Sequence, residues 1–369
     1  MIAIDLFAGV GGLSLGASRA GFDVKIAVEI DKFAIETHAL NFPNTIHLKE
    51  DVGSLTGTGL LNKIGTESLD CLIGGPPCQG FSSIGKGQPG DTRNQLYIHF
   101  FRLVNEIKPK CFLAENVPGI MNEKYDHIRK EAFSIVEDDY FILKPIKVKA
   151  SDYGAATIRT RIFFIGYRKD LGEDLLTELD FLPPDCISTV RVKDALYGSP
   201  TFIDSEWQNE SQGWQKIKKG PKGYFYDRLW GMIPKDIGDE ESLENLKKNI
   251  VSGFLGTRHS NDVLQRYSAL TPGSMDRISK STKLDLNGFC PTIRAGTGSD
   301  KGSFQAVRPI HPTEARVITP REAARLQGFP DWFRFHSTKW HSFRQIGNSV
   351  SPIVAELMLL PLKELCSKN

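Results

Sequence analysis

Over the first 168 residues, short apolar runs alternate with longer segments whose apolar positions recur at helical spacing. The runs "MIAIDL", "DVKIAVEI", "LDCLIGG", "KCFLAEN" and "RIFFIGY" read as strands, and their alternation with helices predicts a doubly wound, mostly parallel α/β sheet. Before the fourth run, Leu96, Phe100, Leu103, Val104 and Ile107 fall on one helical face, and Pro109 fits the stop that follows. From about Asp170 the rhythm gives way to text rich in Pro, Gly, Trp and Lys, such as "GWQKIKKGPKGYFYDRLWG". One short helix is expected there, "DEESLENLKK", with its acids first and lysines last as the helix dipole favours. Regular patterning returns near "TPREAARLQGFPDWF", and "FRQIGNSVSPIVAELMLLPL" joins a polar turn to an apolar helix that must dock on a core. The expected division is a first domain over 1–168, a second, smaller, irregular domain over 169–335, and a C-terminal segment, 336–369, returning to the first.

Composition narrows the class of protein without naming a partner. With 369 residues, 40% of them apolar and 24% charged, the chain can bury one large core or two unequal ones. Cys71, Cys78, Cys111, Cys186, Cys290 and Cys366 form no C-x-x-C pair, and the eight histidines have no ligand spacing, so neither a disulfide framework nor a metal site is expected. A reducing, intracellular setting fits that usage. The chain opens directly on "MIAIDLFAG", without a charged-then-apolar leader, and no run approaches about 18 apolar residues, so neither secretion nor a membrane span is expected. A formal net charge of +2 neither requires nor excludes a nucleic-acid partner; any basic surface must be local.

The polar residues cluster after the predicted carboxyl ends of strands, where open α/β sheets bind ligands. "DLFAGVGGLSLG" puts Gly9, Gly11 and Gly12 between a strand and a helix, so that backbone can approach a ligand at a helix N-terminus. It is not the dinucleotide fingerprint, because Ser14 stands where a third glycine belongs. Glu29, at the end of the second strand, could accept from both hydroxyls of a ribose, which together with the glycine turn suggests an adenosine-containing cofactor. Asp51 reads either as an acceptor for an adenine amino group or as a turn residue before glycine. Cys78, in "GGPPCQGFSS", lies in a turn and not in an apolar run, the setting of a reactive thiol more than of a packed one. A cysteine that attacks a ring carbon needs an acid to protonate the ring, and Glu115 in "ENVPG" is the candidate.

Taken in order, "DLFAGVGG", "GGPPCQGFS", "ENV", "REAARLQGFP" and "QIGNSV" resemble the cytosine-5 DNA methyltransferases, over roughly the first 168 and the last 55 residues. The resemblance implies the class I S-adenosylmethionine-dependent methyltransferase fold, with a target-recognition domain in the irregular middle. It implies that Cys78 adds to carbon 6 of a flipped-out cytosine while Glu115 holds and protonates ring nitrogen 3, and that the methyl group comes from S-adenosyl-L-methionine. Phe7, Gly9, Gly11, Gly12, Glu29, Asp51, Pro77, Leu96 and Asn348 match the family's cofactor positions. Gln79 and Ser82 match the loop that closes over DNA.

One element departs from the family pattern. A Q-x-R-x-R sequence usually precedes the strand read here as "RIFFIG"; this chain has "TIRTR", with Thr157 for the glutamine and Ala156 for a common proline, while Arg159 and Arg161 remain. By resemblance Arg161 donates to the cytosine O2 and Arg159 supports the cysteine site. Thr292 and Ile293 match a recognition dipeptide in the middle domain, and Arg294 adds a side chain able to contact guanine in two places or to hold a phosphate. The reading is therefore a prokaryote-type cytosine-5 DNA methyltransferase acting on double-stranded DNA, as a cytoplasmic, nucleoid-associated monomer. The resemblance also allows a cognate restriction endonuclease acting on the same site. Two alternatives share these residues: an RNA cytosine-5 methyltransferase, whose branch has a much smaller middle domain, and a DNA-binding regulator without activity.

Overall fold

The computed structural model describes residues 1–77, 95–205, 212–295 and 308–368. Among them the chain runs β1 (Ile2–Leu6), α1 (Gly12–Ala20), β2 (Asp23–Val28), α2 (Lys32–Asn41), β3 (Ile46–Leu48), α3 (Gly57–Ile64), β4 (Cys71–Gly74), α4 (Gln95–Ile107), β5 (Cys111–Asn116), α5 (Asp126–Ser134), β6 (Tyr140–Ile142), β7 (Ile146–Lys149) and β8 (Thr160–Arg168). The sheet order is β3-β2-β1-β4-β5-β8-β6, with β7 also paired to β8. From β3 to β5 the strands are parallel, and β8 runs antiparallel to β5 and carries β6 and β7 on its far side. All five strands read from the sequence are present. The three additional ones, β3, β6 and β7, hold only three or four residues each.

Strand alternation divides the core between the two faces of the sheet. Ile4, Leu6, Leu72, Phe112 and Phe164 point to one face, against Phe100, Leu103, Val104 and Ile107 of α4. Ala3, Cys71, Ile73, Leu113, Phe163 and Ile165 point to the other, where α1 and the last helix pack.

Beyond β8 lie the short helix α6 (Val192–Ala195), the paired strands β9 (Gln215–Lys216) and β10 (Ile250–Val251), α7 (Tyr224–Trp230), α8 (Glu240–Lys247), α9 (Asn261–Ala269), α10 (Pro320–Leu326), α11 (Lys339–Asn348) and α12 (Pro352–Lys368). Helix α8, EESLENLK, falls within the expected "DEESLENLKK" helix and is capped by Asp239, which accepts from Ser242 N at 2.9 Å. Its acidic end is not merely solvated, because Arg334 donates to Asp239 at 2.8 Å and to Glu241 at 2.6 Å. Helix α12 buries Ile353, Val354, Leu357, Met358, Leu359, Leu362 and Leu365. Side chains of this size contribute about 1.5 to 3 kcal/mol each when fully buried, enough to hold the helix against α1. The two helices meet at Gly16, where a Cβ would lie 2.3 Å from Ala355 Cβ, so only glycine permits the approach. None of the described helices is long and apolar enough to cross a membrane.

A buried ion pair fastens α12 to α7. Arg228 donates to Glu356 through Nε at 2.8 Å and Nη2 at 2.6 Å, and its guanidinium lies 3.4 Å from the centre of the Tyr224 ring. Arg19 is buried in the same cluster, donating to Arg228 O at 2.7 Å and feeling the Glu356 charge, so two guanidinium groups share one carboxylate. Glu356→Ala, which leaves two buried guanidinium groups without their carboxylate, should therefore destabilise the fold by about 3 to 5 kcal/mol in urea unfolding, and by more than Arg228→Ala, which leaves Glu356 beside Arg19.

Candidate active site

A pocket of about 530 Å³ opens at the carboxyl ends of β1, β2, β4 and β5 and is closed by the residues around the end of α11. Phe7, Gly9 and Gly12 line it from the turn after β1, Glu29 from the end of β2, Asp51 from the loop after β3, Pro77 from the turn after β4, Leu96 from α4, Glu115 from β5, Arg159 and Arg161 from the entry to β8, and Asn348 from α11. Gly11 is not in the lining. It caps α1 in the left-handed conformation and faces the Phe42 ring. Ile30, Phe33, His341 and Arg344 also line the pocket without having been read as site residues.

The turn after β1 is held from both sides. Phe7 adopts a φ of 58°, uncommon for a residue with a side chain. Glu29 accepts from Gly9 N at 3.0 Å and Asp31 N at 2.8 Å, so the acid at the end of β2 organises the neighbouring loop. Burial raises the Glu29 carboxyl above its ordinary value, against the opposing effect of those backbone donors. Each carboxylate oxygen has a second lone pair, so both can still accept from a ligand. Asp51 does what a turn residue does, accepting from Gly53 N at 2.8 Å, and also faces the pocket.

Beneath the turn, Ser14 donates to Asp5 Oδ2 at 2.6 Å and lies 2.9 Å from His38 Nε2, while His38 Nδ1 is 2.9 Å from His47 Nε2. This explains the serine in the third-glycine position: its hydroxyl ties α1 to β1 and α2. Burial pushes the Asp5 carboxyl up from 3.8 to about 7, and holds His38 well below its ordinary value.

At the other end, Glu115 is buried and Arg161 Nε lies 2.5 Å from its Oε1. Asn116, the middle residue of "ENV", donates to Pro76 O at 3.4 Å and so pins the proline turn to β5. Cys78, Gln79 and Ser82 lie outside the described residues. Arg159 is buried, and its Nη1 donates to Ile293 O at 3.4 Å. Thr157, the departure from the family pattern, is fully buried and bridges to Cys290 in a short parallel ladder. Thr292 and Arg294 are exposed, but Ile293 is only 2% exposed and packs in the core of the middle region. Expected at the DNA face, Ile293 is turned inward by the alternation of an extended segment, and only its neighbours present side chains outward. Among the described residues no group of three or more His, Cys, Asp or Glu is placed to hold a metal ion.

A parallel sheet with a ligand pocket at its carboxyl edge, an acid at the end of β2 and a buried Glu–Arg pair beside a proline turn define an α/β group-transfer enzyme. The chain belongs to the C-5 cytosine-specific DNA methylase family, whose model matches residues 1–363. It is a DNA cytosine-5 methyltransferase. It is 42% identical over 367 residues to the type II methyltransferase M.XorII of Xanthomonas oryzae pv. oryzae, covering 96% of this chain and 82% of that protein. It is 31% identical over 399 residues to M.DdeI of Desulfomicrobium norvegicum, covering 97% and 87%. Among solved structures, a prophage-encoded E. coli protein assigned as a DNA modification methyltransferase superposes with a TM-score of 0.91 at 59% identity, covering 100% of this chain and 99% of that one. The Dnmt2 methyltransferase of S. pombe shares the fold, with a TM-score of 0.64 at 18% identity and 99% of each chain covered.

The buried acid under the turn makes a pH-dependent contribution to stability. Because its folded value lies above 3.8, the stabilisation linked to the protonated carboxyl is full below that pH and is lost as pH rises through about 7. Asp5→Asn, which stays neutral, should gain melting temperature relative to the parent as pH is raised across that window. A constant offset between the two proteins from pH 4 to 8 would mean that Asp5 does not titrate there.

Proposed function

We propose that this enzyme transfers a methyl group from S-adenosyl-L-methionine to carbon 5 of a cytosine flipped out of a specific duplex DNA sequence, through a covalent adduct on Cys78. The observation that carries the reading is one pocket shared by two sets of groups. At one end are the Phe7–Gly12 turn, Glu29 and Asp51; at the other are the proline turn that leads into Cys78, and the Glu115–Arg161 pair. The first set fits an adenosine: acceptors on Glu29 for the ribose hydroxyls, a carboxylate on Asp51 for an adenine amino group, apolar walls from Phe7, Ile30 and Leu96, and Pro77 and Asn348 completing the lining. When bound there, S-adenosylmethionine supplies an electrophilic methyl group. Gly11 serves that end indirectly, by starting α1 at the correct angle.

The chain's own residues supply the rest. The Cys78 thiolate adds to carbon 6 of the cytosine ring, Glu115 delivers a proton to nitrogen 3, and carbon 5 becomes nucleophilic. Once the methyl group is in place, loss of the carbon 5 proton to water, expulsion of the thiolate and return of the nitrogen 3 proton to Glu115 restore the ring. Arg161, already held against Glu115, donates to the ring oxygen O2, and Arg159 supports the cysteine turn. Extruding the base costs roughly a few kcal/mol, offset by contacts from the loop carrying Gln79 and Ser82 and by the recognition segment at Thr292 and Arg294, with Ile293 as its buried anchor. We assign recognition to the middle region, 169–335, and catalysis to 1–168 closed by 336–369. The reading extends to a cytoplasmic monomer, associated with the nucleoid, that protects the sites cut by a cognate restriction endonuclease.

On duplexes carrying 5-fluorocytosine, with S-adenosylmethionine present, the protein should form a complex that survives denaturation, and Cys78→Ala should form none. Bisulfite sequencing of plasmid from a methylation-free host should reveal one modified site for the parent and none for this variant; methylation retained by Cys78→Ala would overturn the covalent route. Glu29→Ala should weaken S-adenosylmethionine binding about tenfold or more in calorimetry, because hydrogen bonds to a charged group are worth about 1.5 to 3 kcal/mol. Glu29→Gln, which keeps one acceptor, should lose less, and unchanged affinity in both would remove Glu29 from the ribose contact.

A further inference from the structure

Residues 290–295 run between two walls at backbone distance. On one side Cys290 N donates to Ala156 O at 2.8 Å and Ile158 N donates to Cys290 O at 3.0 Å, a parallel bridge centred on Thr157 and Cys290, both fully buried. The Thr157 hydroxyl accepts from Arg159 N at 3.3 Å, a local turn that bends the chain immediately before β8. That bend sends Arg159 Nη1 to Ile293 O at 3.4 Å. On the other side stands Gly347, in the last turn of α11. A Cβ there would lie 2.6 Å from Ala295 N and 2.8 Å from Arg294 C, distances that real Cβ atoms do not show. The segment presenting Arg294 is thus wedged between a wall continuing into Arg159 and Arg161 and a wall continuing into Asn348 of the pocket.

We propose that Thr157 and Gly347 are positioning residues that hold the Arg294 segment in register with Arg159, so that base recognition and catalytic geometry are set by one shared contact. The inference rests on the methyl-transfer reading above. Its physical basis is the absence of slack: the Arg159–Ile293 hydrogen bond is already long at 3.4 Å, so a displacement of the segment large enough to admit one Cβ at Gly347 cannot preserve its geometry. The glutamine usual in the family is replaced by a shorter side chain whose hydroxyl, among the described residues, accepts from the backbone of Arg159 two positions on. In this chain the register therefore depends on the bridge to Cys290.

The test is steady-state methylation of the site found by profiling the parent on a randomised library, together with duplexes changed at one base. Thr157→Val keeps the shape and removes the acceptor; it should lower kcat about tenfold with little change in KM for S-adenosylmethionine, and Thr157→Ser should restore kcat. Gly347→Ala should reduce discrimination between the cognate and one-base-changed sites, and in an Arg294→Ala background it should reduce it no further. Thermal unfolding of each variant separates displacement from misfolding, and the Gly347 series stands as an independent arm if Thr157→Val folds poorly. Parent-like kcat and site preference in Thr157→Val and Gly347→Ala, or losses that simply add to that of Arg294→Ala, would overturn the coupling. A parent protein that methylates no duplex would overturn the function proposed above and this inference with it, whereas the variant outcomes overturn the inference alone.

Discussion

The site depends on the contact between α1 and α12, two helices that meet at backbone distance over Gly16. Helix α1 begins at the turn that forms the floor of the pocket, and α12 follows directly on Asn348, Ser349 and Val350, which close it. A pocket built from the first and last parts of a chain is complete only when the last helix is seated. Several polar contacts fix that seating. Gln345 donates to Phe33 O at 3.0 Å and to Thr37 Oγ1 at 2.9 Å, tying α11 to α2, and Gln327 donates to Ser349 O at 3.0 Å. The Arg228–Glu356 pair then joins the same helix to α7.

The two ends of the pocket differ in charge, and the difference follows from the topology. Strands β1 and β2 and the loop after β3 deliver Glu29 and Asp51, acceptor groups suited to hydroxyls and an amino group. Reversal of the sheet direction at β8 brings the start of that strand to the same edge as the end of β5, since Asn116 pairs with Ile162 and Glu115 with Phe163. Arg161 precedes that pairing and therefore reaches Glu115, and Arg159 lines the same pocket. A fully parallel sheet would have put the start of β8 at the opposite edge, away from the carboxyl ends. The antiparallel strand thus places cationic groups beside the only acid on β5.

This reversal could not be read from the residues, because a strand buried on both faces looks the same in either direction. The five strands themselves were legible, since each is a compact apolar run between turn signals. The missed strands were too short for periodicity to register: "IHL" of β3 and the two pieces β6 and β7, separated by Leu143, Lys144 and Pro145. The same distinction holds at the site. Glycine and proline turns at strand ends announced Phe7, Gly9, Pro77 and Glu115. Phe33 and His341 reach the pocket from helical segments without a turn signal, and Arg344 from "FRQIGN", which reads as a polar turn but is the last part of α11. Ile293 was misplaced for a simpler reason: a family position was read without the alternation of Thr292, Ile293 and Arg294, which buries the middle residue.

The segments that carry the family likeness do different physical work, and the arginines of "REAARLQGFP" show it. Arg321 and Arg325 are among the largest fully buried side chains, far from the exposed basic surface that composition alone would assign to arginine in a DNA-modifying protein. Arg321 donates to Ser252 O at 2.8 Å, Pro330 O at 2.9 Å and Phe333 O at 2.7 Å, supplying donors to carbonyls that irregular chain would otherwise leave unpaired. Arg325 pairs with Asp331 at 2.7 Å with both side chains fully buried, and also donates to Tyr197 O at 2.9 Å and Ser199 Oγ at 2.8 Å. A region poor in strands and long helices has few backbone ladders of its own. Guanidinium groups with five donors each take over that task, cross-linking loops distant in sequence into a frame. The family segments at the strand ends line the pocket, whereas "REAARLQGFP" wires the irregular middle together.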